Sequence, residues 1–83
     1  MSNTGMKVRV FDMQHGLVEY EDVKTIRIVS RDYNLLIMKD YMPIIGEIVG
    51  SVDINGEDTS LSYKKIKAFY MNSKNVFNLM IEE

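Results

Sequence analysis

The chain has no cysteine, no tryptophan, one histidine, one proline and three arginines among its 83 residues. Without cysteine there is no disulfide scaffold, no thiolate zinc site and no thiol nucleophile, which fits a reducing compartment. A lone histidine, His15, with neither a cysteine nor a positioned serine motif, leaves no nucleophile–base pair to build on, and His15 reads as a turn residue. A single proline and no low-complexity tract leave little room for a disordered linker. No run of about 18 apolar residues occurs, so no membrane-spanning helix is expected. Residues 1–5 (MSNTG) lack the apolar stretch of a signal peptide, so we expect a cytoplasmic protein. Excess charge of one sign is also missing. A net charge of −2 and a pI near 5.3 give no general attraction to phosphate backbones or anionic lipid.

The remainder is an ordinary globular composition, 46% hydrophobic and 27% charged. Its length suits one domain with a thin core, burying roughly 60% of the surface an unfolded chain exposes. We expect a flexible leader over residues 1–5 and a single β-sandwich domain over 6–83. Isoleucine, lysine and asparagine supply 22 residues, a usage typical of AT-rich coding DNA.

Hydrophobic periodicity divides the domain into short strands. Residues 6–13 alternate, with Met6, Val8 and Val10 on one side, and residues 14–16 turn the chain into a second strand over 17–21. Residues 22–30 are rich in β-branched side chains, with Ile26 and Ile28 on a common face. Residues 35–38 (LLIM) form a continuous apolar run of the size expected for a strand covered on both faces. Pro43 should fix the exit from it, because proline restricts Met42 to extended geometry and cannot donate to a ladder. Residues 44–49 and 51–54 flank Gly50, and Asn55-Gly56 is the strongest hairpin-turn signal in the chain. Residues 60–71 read as a strand with period 2 or as a helix with period 3.6, and 76–81 close the chain as a strand. The pattern predicts an all-β fold, a small sandwich or barrel of seven to eight short, mostly antiparallel strands, with α+β and a helix at 60–71 as the alternative.

No catalytic constellation emerges. The twelve carboxylates are scattered at no diagnostic spacing. Asp53, Asn55, Glu57 and Asp58 cluster near Asn55-Gly56, but the glycine comes too early for a calcium loop. Gly46 and Gly50 lack the lysine and hydroxyl residue that complete a phosphate loop. We expect no enzyme, no metal and no cofactor. One stretch offers a different function: Tyr63, Lys64, Lys65, Lys67 and Phe69 interleave cations with rings, as a single-stranded nucleic-acid platform requires.

In its order of elements the chain resembles the N-terminal β-sandwich domain of the epsilon subunit of the rotary F-type ATP synthase. The resemblance covers nearly all of 6–83: an opening MKVRV strand, a hairpin, a strand before a polar turn, and a buried strand running into proline. Where the family carries Leu-Pro-Gly-His, one more residue and Pro-Leu, this chain has Met38, Lys39, Asp40, Tyr41, Met42, Pro43 and Ile44. The family's glycine pair before its closing hairpin is Lys67-Ala68 here, and its C-terminal helices do not follow Glu83. The resemblance implies a non-catalytic module that docks on the rotor subunits of a rotary ATPase. It also implies a partner-binding edge made of Asp32, Tyr33, Asn34, Lys39, Asp40, Tyr41 and Met42, where tyrosine and methionine suit an adaptable contact.

Overall fold

Alternation of buried and exposed side chains begins at Met6 and runs through six strands of the computed structural model, which describes residues 5–82. They are β1 (Met6–Asp12), β2 (Gly16–Ser30), β3 (Asn34–Met38), β4 (Ile44–Gly56), β5 (Ser60–Ser73) and β6 (Val76–Glu82). Of the expected leader over residues 1–5, all but Gly5 lies outside the described residues. The sheet order is β1-β6-β5-β4-β2-β3 with a further β1–β2 pairing, so five strands close into a barrel and β3 hangs on β2 as an extra strand. Every pairing is antiparallel except β1 with β6.

All-β architecture is as the periodicity predicts, but the strand number is six rather than seven to eight. The physical reason lies at the corners. Residues 17–21 and 22–30 are one strand that bends at Asp22, whose φ is 56°. Residues 44–49 and 51–54 likewise join through Gly50, where the β4–β5 register shifts. β5 bends at Lys65, with φ of 57°. The extra residues lie on β2 around Asp22 and on β5 around Lys65, the latter facing Gly50, and such insertions increase local twist and let a long strand serve both walls of a small barrel. At Gly50 an added Cβ would overlap the Val29 carbonyl oxygen, so only glycine lets β2 and β4 approach there.

Residues 60–71 belong to β5 throughout, and the helical alternative is corrected. Asn55-Gly56 does not form the turn: both residues stay in β4, with Asn55 opposite Thr25 and Ser60. The turn comes one residue later, closed by the Gly56 N–H donating to the Thr59 carbonyl at 2.8 Å. Gly56 is needed for packing instead, since a Cβ there would lie 2.7 Å from the Asp22 carbonyl oxygen. The 35–38 run is also corrected. Only Ile37 is fully buried, while Leu36 and Met38 are 40% and 50% exposed, because β3 is an edge strand with a single covered face.

The inward positions of all the strands supply one core. Met6, Val8 and Val10 meet Val23, Ile26 and Ile28 of β2, Ile48, Val52 and Ile54 of β4, Ala68 and Tyr70 of β5, and Phe77 and Leu79 of β6. The Tyr70 and Phe77 rings stack at 5.6 Å, an arrangement worth about 1 kcal/mol beyond the area it buries.

Candidate docking surface

Side chains that point away from the core divide the molecule into two unlike faces. Over β2, β4 and the first half of β5 the outward residues are mainly polar, among them Thr25, Arg27, Ser51, Asp53, Ser60 and Ser62, with Val29 and, on β3, Leu36 and Met38 as exposed apolar exceptions. Here the Ser62 hydroxyl donates to the Asp53 carboxylate at 2.7 Å, as on any solvated sheet. The opposite wall is apolar. Pairing places Leu17 beside Phe11, Phe11 beside Met80, and Met80 beside Phe69, one row crossing four strands. In the next row Met71 stands beside Ile45. Their exposures are high for such residues: Phe11 45%, Phe69 45%, Met71 47%, Met80 51% and Ile45 75%.

Period 2 alone puts these residues together. Phe69 and Met71 occupy the odd positions of β5 after its corner, opposite the buried Ala68 and Tyr70, and Met80 alternates with Leu79 on β6. The rows leave a shallow groove of about 490 Å³ between β4 and β6, lined by Ile45, Gly46, Phe69, Met71 and Met80. A second groove of about 340 Å³ lies beyond Met80, with Phe11, Leu17 and Arg9 on its walls. The rim carries charge: the Arg9 guanidinium donates to Glu19 at 3.0 Å, and Lys67 lies 4.0 Å from Glu82. An apolar centre with aromatic and methionine side chains inside a charged rim has the composition of a protein interface.

Beneath this wall a chain of hydroxyls fixes the open side of the barrel. The Tyr33 hydroxyl donates to the Glu47 carbonyl at 2.7 Å, and the Tyr70 hydroxyl, 3.1 Å away, donates to Tyr33 in turn. Burial, and then that donated hydrogen bond, pushes the Tyr70 phenol well above its ordinary range. Burial likewise raises the Tyr63 phenol, with Tyr20 beside it. At the far turn the Asp12 carboxylate accepts from the backbone N–H groups of Gln14 and His15, and these bonds hold its pKa below the usual value. His15 is thus a turn residue anchored by Asp12.

The residues singled out from sequence are dispersed. Asp32, Tyr33 and Asn34 stand at one end of β3 and Lys39, Asp40, Tyr41 and Met42 at the other, so the strand separates them. Tyr33 and Tyr41 are half-buried against the core, and Met42 is exposed. Asp40 interlocks with the β5–β6 turn: its N–H donates to the Asn75 side-chain oxygen at 2.6 Å. The nucleic-acid set is split by the corner at Lys65. Tyr63 turns inward before it, Lys64 and Lys65 lie on it, and Lys67 and Phe69 face outward after it, so rings and cations do not share one platform. Sequence reasoning missed the Phe11, Phe69, Met71 and Met80 wall. The signal was present in the alternation of 67–71 and 77–81, but which strands neighbour one another was not.

No family model matches the chain, and no curated protein matches it. Among solved structures it is similar to a chain of the Tetrahymena thermophila mitochondrial ATP synthase, in a cryo-EM structure of the central stalk and c-ring. The TM-score is 0.76 at 10% identity, covering 100% of this chain and 67% of that one. At that identity the likeness shows a shared fold. The resemblance to the epsilon N-terminal domain is therefore corrected: the neighbour is a component of the central stalk and c-ring assembly, and no family match supports the epsilon assignment. The string of strands and turns behind that assignment is general to small β-barrels, and its one distinctive element, the segment before Pro43, departs from the family's residues.

Proposed function

We propose that this chain is a non-catalytic protein-interaction module of the cytoplasm that docks through the outer wall of β1, β6, β5 and the first half of β4, with a rotary-ATPase rotor subunit as its partner. The row Leu17, Phe11, Met80 and Phe69 carries the reading, because the barrel leaves about half of each of these contiguous apolar side chains uncovered. The polar opposite wall supplies the contrast. The structural neighbour supports the partner, being part of a central stalk and c-ring assembly.

The test is site-specific photo-cross-linking in the source cells from position 69, with position 62 on the polar wall as control. Rotor subunits should be captured from position 69 and not from 62. Equal capture from both positions would overturn the docking wall, and capture of unrelated proteins alone would overturn the partner. In a purified pair, Phe69→Asp should weaken binding by about 2 kcal/mol or more, as expected for an aromatic anchor near the centre of an interface.

A further inference from the structure

Among the described residues, four stretches of strand have one side without a neighbouring strand, and three of them are guarded. The first half of β5 carries Lys64 and Lys65 and the corner at Lys65. The first half of β2 carries Glu19 and Glu21. The first half of β4 follows Pro43, includes Glu47, and has its Glu47 carbonyl capped by Tyr33. Charges, prolines and bulges are how sheet edges are kept from pairing with other chains. β3 has none of them: its sequence is NLLIM and its register with β2 runs without a shift.

The hydrogen-bond phase of that edge is fixed by the Ser30 N–H, which donates to the Tyr33 carbonyl at 2.8 Å. Alternation then turns the amides of Leu35 and Ile37 toward β2 and those of Asn34, Leu36 and Met38 outward. The outward set is symmetric about Leu36. We infer that β3 is a self-association edge, on which a second copy of this chain pairs antiparallel about a twofold axis at Leu36. Leu36 of one copy then lies against Leu36 of the other, and Asn34 against Met38, so the Leu36 amides meet their complements, the Met38 carbonyl takes the Asn34 N–H beside the Tyr41 N–H it already accepts at 3.1 Å, and the two exposed leucines cover each other. A five-residue edge buries less than the ~1,000 Å² of a lasting interface, so the dimer is a weak one, forming at high micromolar concentration. Both apolar walls stay free in it. The dimer presents two docking surfaces, and binding to paired sites gains by avidity.

The chain contains no cysteine, so an introduced thiol reports on its own position. Leu36→Cys should form a covalent dimer under mild oxidation about ten times faster than Ser62→Cys, since facing residues on antiparallel strands lie within disulfide reach. Sedimentation equilibrium up to about 1 mM should show a monomer–dimer equilibrium that Leu36→Lys shifts about tenfold toward monomer. Equal cross-linking rates, a monomer throughout, or a dimer indifferent to Leu36→Lys would each overturn the inference. The last result would move self-association to another face, and none of them bears on whether the apolar wall docks a partner.

Discussion

Asn72 faces inward on β5 at 1% exposure, and neither its side-chain nitrogen nor its oxygen has a hydrogen-bond partner in the protein. A buried amide without partners costs about 1–3 kcal/mol, whereas an apolar side chain of similar volume incurs no such penalty. Asn72→Leu should therefore raise the unfolding temperature, by about 4–8 °C for each kcal/mol gained in a domain of this size. Differential scanning calorimetry reads this directly, and an unchanged or lower midpoint would show that the amide is supported. The buried tyrosines make a second prediction. A phenol whose folded pKa is raised keeps its proton in the barrel while the unfolded chain loses it. Stability is therefore whole below pH ~10 and is lost as pH climbs from there through the folded pKa. Urea midpoints should fall steeply above that pH for the native chain and less steeply for Tyr70→Phe, which should also be about 1 kcal/mol weaker at neutral pH for want of its bond to Tyr33.

At the scale of the strand, the corners decide the architecture. Gly50→Ala would drive a methyl group into the Val29 carbonyl, and because the atoms it meets are the paired backbone of Val29 and Ser30, not a movable side chain, the strain is costly to relax. A loss of about 2–4 kcal/mol is expected, measurable by chemical denaturation, and a variant within 0.5 kcal/mol of the parent would show that the corner can open. The corners also mark the limit of what the sequence discloses. Alternation at Met6, Val8 and Val10, at Ile26 and Ile28, and around Phe77 and Leu79 locates strands and their inner faces correctly, because period 2 is a local property. Asp22 and Lys65 carry no such signal: aspartate tolerates positive φ better than most residues, yet neither it nor a lysine marks where tertiary pairing asks for a bend. Two bends, at Asp22 and Gly50, fall where alternation predicts strand boundaries, and the one at Lys65, inside an unbroken pattern, displaces Tyr63 from the face of Lys67 and Phe69. For the same reason the docking wall was hidden, since the row from Leu17 to Phe69 exists only once β6 lies parallel to β1.

In the whole molecule that parallel pair closes the ring. β1 and β6 lie at opposite ends of the described chain, so the barrel is completed by a contact of long sequence separation, and folding should be slow, in the millisecond-to-second range typical of all-β domains. Removing β6 would strip Phe77 and Leu79 from the core and leave β1 and β5 unpaired along their shared seam. A chain ending before Val76 should give no dispersed amide spectrum, and a folded spectrum would place the core elsewhere. Asn55-Gly56, held inside β4 instead of at a turn, has a chemical consequence of its own. Asparagine before glycine is the sequence most prone to deamidate, through attack of the glycine nitrogen on the asparagine side chain. In the barrel the Gly56 N–H is engaged with Thr59 and Asn55 is clamped between Thr25 and Ser60. The dipeptide should therefore age slowly while the barrel is closed and quickly once β4 lifts away. The isoaspartate content of stored protein, read by mass spectrometry, then becomes a cumulative record of how often this hairpin has opened.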